Sequence, residues 1–172
     1  MHVYIKALFK VAGKYAPSRN IPFDVAHIFK ALQLIEKRGH ASRELLAREL
    51  ALGEGVIKTL IKHLKMQNMI YTANSGTKMT EKGKSIFPHI SSSIPAEINV
   101  PKCSVALGKF NYAVLLKQFN FAIKSGVEQR DAAIKMGAKG ATTLLYKDRG
   151  FVMPYTVGLL TPCKKSQRYV NY

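Results

Sequence analysis

SRELLARELALGEGVIKTLIKHLKMQN, residues 42–68, reads as two short helices with a tight turn between them. Ser42 is a residue type that caps a helix start, and Leu45, Leu46 and Leu50 recur at helical spacing over Arg43 to Leu52. The residue three after Ser42 is Leu45, not Glu or Gln, so no full capping box is expected there. Gly53-Glu54-Gly55 then turns the chain within about three residues, and two helices joined this tightly form a helix-turn-helix. In the second helix Ile57, Leu60, Ile61 and Leu64 fall on one face, which suits a core. Lys58, Lys62 and Lys65 line another, flanked by Thr59 and His63, and that face suits a polyanion. Gly53 and Gly55 let backbone approach a phosphate closely, and the free N–H groups of the helix start add partial positive charge. Glu54 in the same turn stabilises the helix but opposes an anion at that spot.

Working outward, Pro17 and Pro22 fence off a lead segment, residues 1–22, expected to pack on the domain that follows. Phe23 to Arg38 reads as a helix with Val25, Ile28, Phe29, Leu32 and Ile35 on its apolar side, Asp24 as N-cap, and Gly39 as the left-handed stop. Downstream, Met69 to Ala73 is β-prone, Asn74-Ser75-Gly76 is a hairpin turn, and Thr77 to Thr80 returns as a strand. Thr80 caps a further helix through Ile86 or beyond, before Pro88 and Ser91-Ser92-Ser93 mark a linker. Three helices, a ribbon and a closing helix predict a winged helix-turn-helix over residues 23–93.

The remainder, residues 94–172, changes period. Ile98 with Val100, Val105 to Leu107, and Tyr112 to Lys117 read as short strands broken by Pro101 and Gly108. A helix follows from Glu128 to about Met136 and stops at Gly137. Ala141 to Lys147 and Phe151 to Met153 then flank the turn Asp148-Arg149-Gly150. This predicts a small α+β domain, a sheet with one or two helices on a face, so the whole chain is expected to be α+β.

Length and charge narrow the function. The 172 residues leave room for one ordinary domain or two small ones, at roughly 100–200 residues per domain. There are 27 Lys and Arg against 10 Asp and Glu, a net charge of +17. Self-repulsion of that size favours a polyanionic partner, and nucleic acid leads that class. The excess is not local: residues 1–93 hold 15 basic and 6 acidic side chains, and residues 94–172 hold 12 and 4. A lysine-rich but merely solvated surface is the plainer alternative. No apolar run approaches the roughly 18 residues of a spanning helix, and Lys6, Lys10 and Lys14 interrupt the N-terminus where a signal peptide would be apolar. A soluble cytoplasmic protein without membrane contact is therefore expected. Cys103 and Cys163 lie far apart with no metal-ligand spacing, so neither a zinc site nor a disulfide framework is indicated.

The wording of several stretches is similar to a known family. APSRNIPFDVAHIFKALQLIEKRG (residues 16–39), LALGEGVIKTLIKHLK (50–65) and MTEKGK (79–84) resemble the winged-helix half of an archaeal family known as domain of unknown function 4443. GVEQRDAAIKMGAKGATTLLYKDRGFVMP (126–154) resembles its C-terminal signature of an RDAAI helix and a GAKGATTL segment. The resemblance implies transcriptional regulation and carries no assigned biochemical activity. The basic tail with Lys164, Lys165 and Arg168 has no counterpart in that expectation.

For the second half, Gly137-Ala138-Lys139-Gly140-Ala141-Thr142-Thr143 combines open backbone, a cation and two hydroxyls, as an anion pocket would need. With Arg130 and Asp131 of the preceding helix, the residues Lys139, Gly140, Thr142 and Thr143 form a candidate effector or anion site. The spacing matches neither a P-loop nor a dinucleotide fingerprint, and a helix stop followed by a strand is the simpler alternative. Glu128 with Arg130 and Asp131 also suits an ordinary solvated helix start. His2, His27, His40, His63 and His89 show no metal-binding spacing, and no nucleophile grouping is visible, so neither catalysis nor a cofactor is expected.

These readings converge on a double-stranded DNA-binding regulator. Lys58, Thr59, Lys62, His63 and Lys65 are expected to face DNA from the second helix of the pair, with Arg43 before it and Asn74, Ser75 and Lys78 on the wing. No Arg, Asn or Gln lies centrally on that helix, so affinity is expected to exceed sequence discrimination. A homodimer is expected, with residues 94–172 as its contact or as a sensor for a small-molecule effector. The alternative is an RNA-binding or ribosome-associated factor, in which Lys109-Phe110-Asn111-Tyr112 and the stretch Lys164 to Tyr169 place aromatics beside cations.

Overall fold

The computed structural model describes residues 3–13, 22–119, 123–147 and 149–154. Pro17, Asp148, Cys163 and the basic tail lie outside the described residues. The chain divides into two units, Met1–Ser92 and Ser93–Tyr172.

The first unit holds α1 (Val3–Val11), α2 (Val25–Arg38), α3 (Arg43–Leu50), α4 (Glu54–Met66), β1 (Ile70–Ala73), β2 (Gly76–Met79) and α5 (Glu81–Ser91). Its core gathers Leu8 and Val11 from α1, Ile28, Leu32 and Ile35 from α2, Leu46 from α3, Ile57, Leu60 and Leu64 from α4, and Phe87 from α5. α2 begins at Val25, where the expected N-cap Asp24 puts it and two residues after Phe23: Asp24 is in extended conformation and its carboxylate accepts the Val25 N–H. The reciprocal bond of this cap comes from an unexpected residue: the Asp24 N–H donates to His27 Nδ1 at 3.0 Å, so histidine does the work usually given to Glu or Gln. Gly39 ends α2 in left-handed conformation, φ 72°, as the sequence implied.

Two devices fix the ribbon. Ala41, in the link between α2 and α3, exchanges both backbone hydrogen bonds with Thr77 of β2, each 2.9 Å. A Cβ on Gly76, at φ 117°, would stand 2.9 Å from the Ala41 carbonyl oxygen, so only glycine lets the turn come this near. At the other end, Thr80 Oγ1 donates to the Asn68 carbonyl at 2.6 Å and accepts the Gly83 N–H at 3.1 Å, while Lys82 Nζ donates to the Gln67 carbonyl at 2.8 Å. The first turn of α5 thus satisfies carbonyls left open where α4 ends. Gly83 is buried here, and a Cβ on it would overlap the Met69 carbonyl oxygen.

α5 runs on through Pro88 to Ser91 instead of stopping before it. Proline removes the N–H that would have reached the Lys84 carbonyl and its ring crowds that carbonyl; Pro88 and Lys84 are both exposed, so the carbonyl can tilt out to water while Phe87 and Ile90 stay buried.

The second unit departs further from expectation. It contains β3 (Ala96–Val100) paired antiparallel with β4 (Asn111–Leu115), α6 (Val127–Lys135), and β5 (Leu145–Lys147) paired antiparallel with β6 (Gly150–Val152). The strands form two separate two-stranded ribbons, not one sheet under a helix. Val105 to Leu107 is not a strand; Cys103 and Ala106 close a local turn through hydrogen bonds of 3.0 and 3.1 Å. None of the described residues of this unit is buried, α6 included. Its Ala-rich, weakly amphipathic sequence presents no apolar stripe wide enough to anchor a sheet.

The Asp24–His27 cap makes stability depend on pH. Burial holds the His27 pKa below histidine's ordinary range, against the opposing pull of Asp24. The folded chain therefore binds this proton less readily than the unfolded chain. The cap's contribution is whole above the ordinary histidine pKa and is lost as pH falls through it towards the folded value. Urea unfolding between about pH 8 and pH 5 should show stability declining with acid, and less steeply in His27→Gln, which keeps an N3 partner that does not titrate.

Candidate nucleic-acid interface

The chemistry of α4 follows from how it is rotated. With Ile57, Leu60, Ile61 and Leu64 buried, Lys58, Lys62 and Lys65 are all exposed and fall within an arc of about 60° at helical spacing. Among the described residues none of the three has an acidic partner. Their charge is directed to solvent along roughly two turns of helix. Thr59 is half-buried next to this strip, and its hydroxyl donates back to the Gly55 carbonyl at 3.0 Å, so its proton is already committed.

His63 does not belong to the exposed strip, which corrects its expected role. It is 8% exposed, its Nδ1 donates to the Val11 carbonyl at 2.9 Å, and its ring meets Phe23 edge-on with centroids 5.3 Å apart. Five residues at helical pitch set it about 140° from Lys58, on the flank turned toward α1. The spacing alone carried that signal. The lead segment supplied the rest, since no pattern in the sequence announced that Val11 would present a carbonyl there.

The remaining predicted contacts separate into two places. Arg43 is exposed in the first turn of α3, while Asn74 and Ser75 are exposed at the ribbon turn. Lys78 is half-buried on β2, across from Tyr71 of β1. The Ala41–Thr77 pairing brings Ser75 to a shallow depression of about 520 Å³ shared with Arg38, His40, Ser42 and Arg48, and with Glu44 as its acidic member. Arg38, His40 and Arg48 were not among the DNA contacts expected from sequence. They come from the end of α2, the link after it and the last turn of α3, and only the backbone bridge places them next to the ribbon turn. Arg48 also pairs loosely with Glu49 at 3.5 Å, an exposed contact of little energetic weight.

The candidate anion site of the second unit is not drawn together. The Arg130 guanidinium turns to its neighbour Asp131, with Nη2 at 3.1 Å and Nε at 3.2 Å from Oδ1. Thr142 Oγ1 donates to the Val105 carbonyl at 3.0 Å, and Thr143 lies against Gly126 at the start of α6. Lys139 and Gly140 are exposed, and a Cβ on Gly140 would meet nothing within 4 Å. Gly137, at φ 91°, stops the helix, so the simpler alternative describes this segment: a helix end followed by a short approach to β5. Glu128 belongs to the same helix start. Hydrogen bonds from its own N–H and from the Ser125 hydroxyl hold its carboxylate below the ordinary range.

The first unit is thus a helical region with an unpaired cationic strip, and comparison with known proteins places it among DNA-binding regions. Residues 25–94 match the model described as the CggR N-terminal DNA binding domain. Residues 107–171 match Domain of unknown function (DUF4443), which bears out the family resemblance read from the sequence. A solved structure, a hypothetical protein from Pyrococcus horikoshii OT3, is 29% identical, with a TM-score of 0.60 over 80% of this chain and 70% of that one. No curated protein matches. Among the described residues no helix is long and apolar enough to cross a membrane.

The placement of His63 sets an expectation opposite to that for a DNA contact. His63→Leu keeps the volume but leaves the Val11 carbonyl without its partner, which should cost about 1–3 kcal/mol of stability by chemical denaturation. The affinity for duplex DNA and its dependence on salt should match those of the parent protein at temperatures where both are folded.

Proposed function

We propose that the first unit is a winged helix-turn-helix that binds double-stranded DNA, with α4 in the major groove and the β1–β2 ribbon against the phosphate backbone. The observation that carries this reading is the strip Lys58, Lys62 and Lys65, exposed and without acidic partners among the described residues, on a helix whose other side is buried. The match of residues 25–94 to a DNA-binding domain supports it. Arg38 and Arg48 add positive charge beside the ribbon turn, where a phosphate backbone following the groove would pass. The strip consists of lysines, which are compact charges without the fork geometry that reads a base bidentately. Recognition therefore rests on phosphates, and the protein is a regulator with high charge-driven affinity and modest sequence discrimination. Its action is binding, not catalysis.

The second unit serves as the contact between two copies. In the β3–β4 register Ala96 faces Leu115, Ile98 faces Ala113 and Val100 faces Asn111, which puts five apolar side chains on one face of the ribbon. Ile98 and Leu115 are 42% and 48% exposed on it. A two-stranded ribbon with an open apolar face is marginally stable alone, and a second copy laid face to face covers it. A dimer also presents two α4 helices to two half-sites.

Two measurements test this. Lys58→Ala and Lys62→Ala should each reduce the slope of log affinity against log salt by about 0.9 on duplex DNA; an unchanged slope in both removes α4 from the interface. Ile98→Glu should shift the light-scattering mass from dimer to monomer. A parent protein that is already monomeric at assay concentration rejects the proposed contact.

A further inference from the structure

The loop between β3 and β4, residues 101–110, carries two large apolar side chains that the unit does not use. Leu107 is 73% exposed and Phe110 is 88% exposed. The loop is nevertheless tied in place. Cys103 and Ala106 pair through their backbones, Asn111 Nδ2 donates to the Gly108 carbonyl at 2.8 Å, and Thr142 Oγ1 holds the Val105 carbonyl at 3.0 Å. A Cβ on Gly108 would come within 2.9 Å of Asn111 Oδ1 and 3.1 Å of the Phe110 carbonyl, so the turn has closed as far as glycine permits. Phe110 is thus presented by a tied loop, and its exposure is built into the backbone.

The surroundings of the ring select its partner. Lys109 Nζ stands over Phe110 at 5.3 Å from the centroid, occupying one face and leaving the other open. Lys102 and Lys109 are both exposed in this loop, within a half of the chain that has 12 basic and 4 acidic residues. Two such tips repel each other, which disfavours a second copy of the chain. A DNA duplex buries the faces of its bases and has no surface for the ring. A single strand offers both requirements together: an unpaired base to lie on the aromatic face and a phosphate beside it for the ammonium groups.

We propose that Phe110, with Lys109 and Lys102, is a stacking site for an unpaired base of single-stranded DNA, a second nucleic-acid contact separate from α4. It rests on the reading that this chain works on DNA, but not on α4 being the helix that enters the groove.

The sequence contains no tryptophan, so Phe110→Trp in the full chain installs a sole reporter at the site. Titration with a short oligo(dT) at low salt should quench its emission saturably. Heparin, which has the charge but no bases, should leave the emission nearly unchanged. Phe110→Ala should weaken oligo(dT) binding about tenfold, the effect of losing one stacked base, with duplex affinity preserved. The Lys58→Ala, Lys62→Ala double variant should do the reverse, weakening duplex binding and sparing the oligo(dT) quench. Equal quenching by heparin, absence of quenching at saturating oligo(dT), or unchanged oligo(dT) affinity in Phe110→Ala each overturn the site. Quenching by oligo(U) but not oligo(dT) overturns its assignment to DNA. Unchanged duplex binding in the double lysine variant would instead reject the α4 reading and leave this site standing.

Discussion

The rotation of α4 about its own axis is the constraint on which the rest depends. Ile57, Leu60 and Leu64 are fully buried, so a turn of the helix by even one residue position would drive an ammonium group into the core. His63 adds a polar lock to this apolar one, because its ring N–H reaches the Val11 carbonyl 52 residues away in sequence. A buried hydrogen bond weakens steeply once its donor angle is lost, whereas apolar packing tolerates small rotations. The lysine strip owes its solvent exposure to that combination, and α1, which looked like a mere lead segment, supplies one of its two halves.

A second level of order builds on the first. Once α4 is placed, the chain leaves it through Gln67 and Asn68, whose carbonyls are taken up by Lys82 and Thr80 at the start of α5. The ribbon is then held at both ends, by α5 on one side and by Ala41 on the other. Gly76 and Gly83 mark the two points where backbones come too near for any side chain. These are conditions for the cationic depression near Ser75, which exists only because the link after α2 runs alongside β2.

The second unit obeys different physics. Local pairing makes its hairpins, and no described residue in it is buried, so nothing within it ranks one arrangement of ribbons above another as strongly as a core would. This accounts for the difference between the single sheet expected there and the separate ribbons found. It also bears on Phe110. An aromatic residue in a strand-like stretch is ordinarily assigned to a core, and here it is 88% exposed beside a lysine. The dimer contact and the stacking site proposed for this unit draw on different parts of it, the apolar face of the β3–β4 ribbon and the loop at its tip.

What the residues determined unaided was everything governed by neighbours within a few positions. Helices α2 to α4 and the start of α5, the caps at Asp24, Ser42 and Thr80, the stop at Gly39, the ribbon turn, and the lysine strip on α4 were legible, because helical period and cap chemistry are local properties of the chain. The helix in the lead segment was not, since it did not carry those signals clearly. The α+β class followed from the same signals. What only the tertiary structure decided was where long-range backbone groups fall. It turned His63 inward to Val11, 52 residues away. It also set Arg38, His40 and Arg48 around Ser75, and left Thr142 occupied with the Val105 carbonyl instead of a ligand. Each of these depends on a carbonyl, an N–H or a patch of solvent brought in by a remote segment, and residue periodicity contains no information about what a remote segment will present.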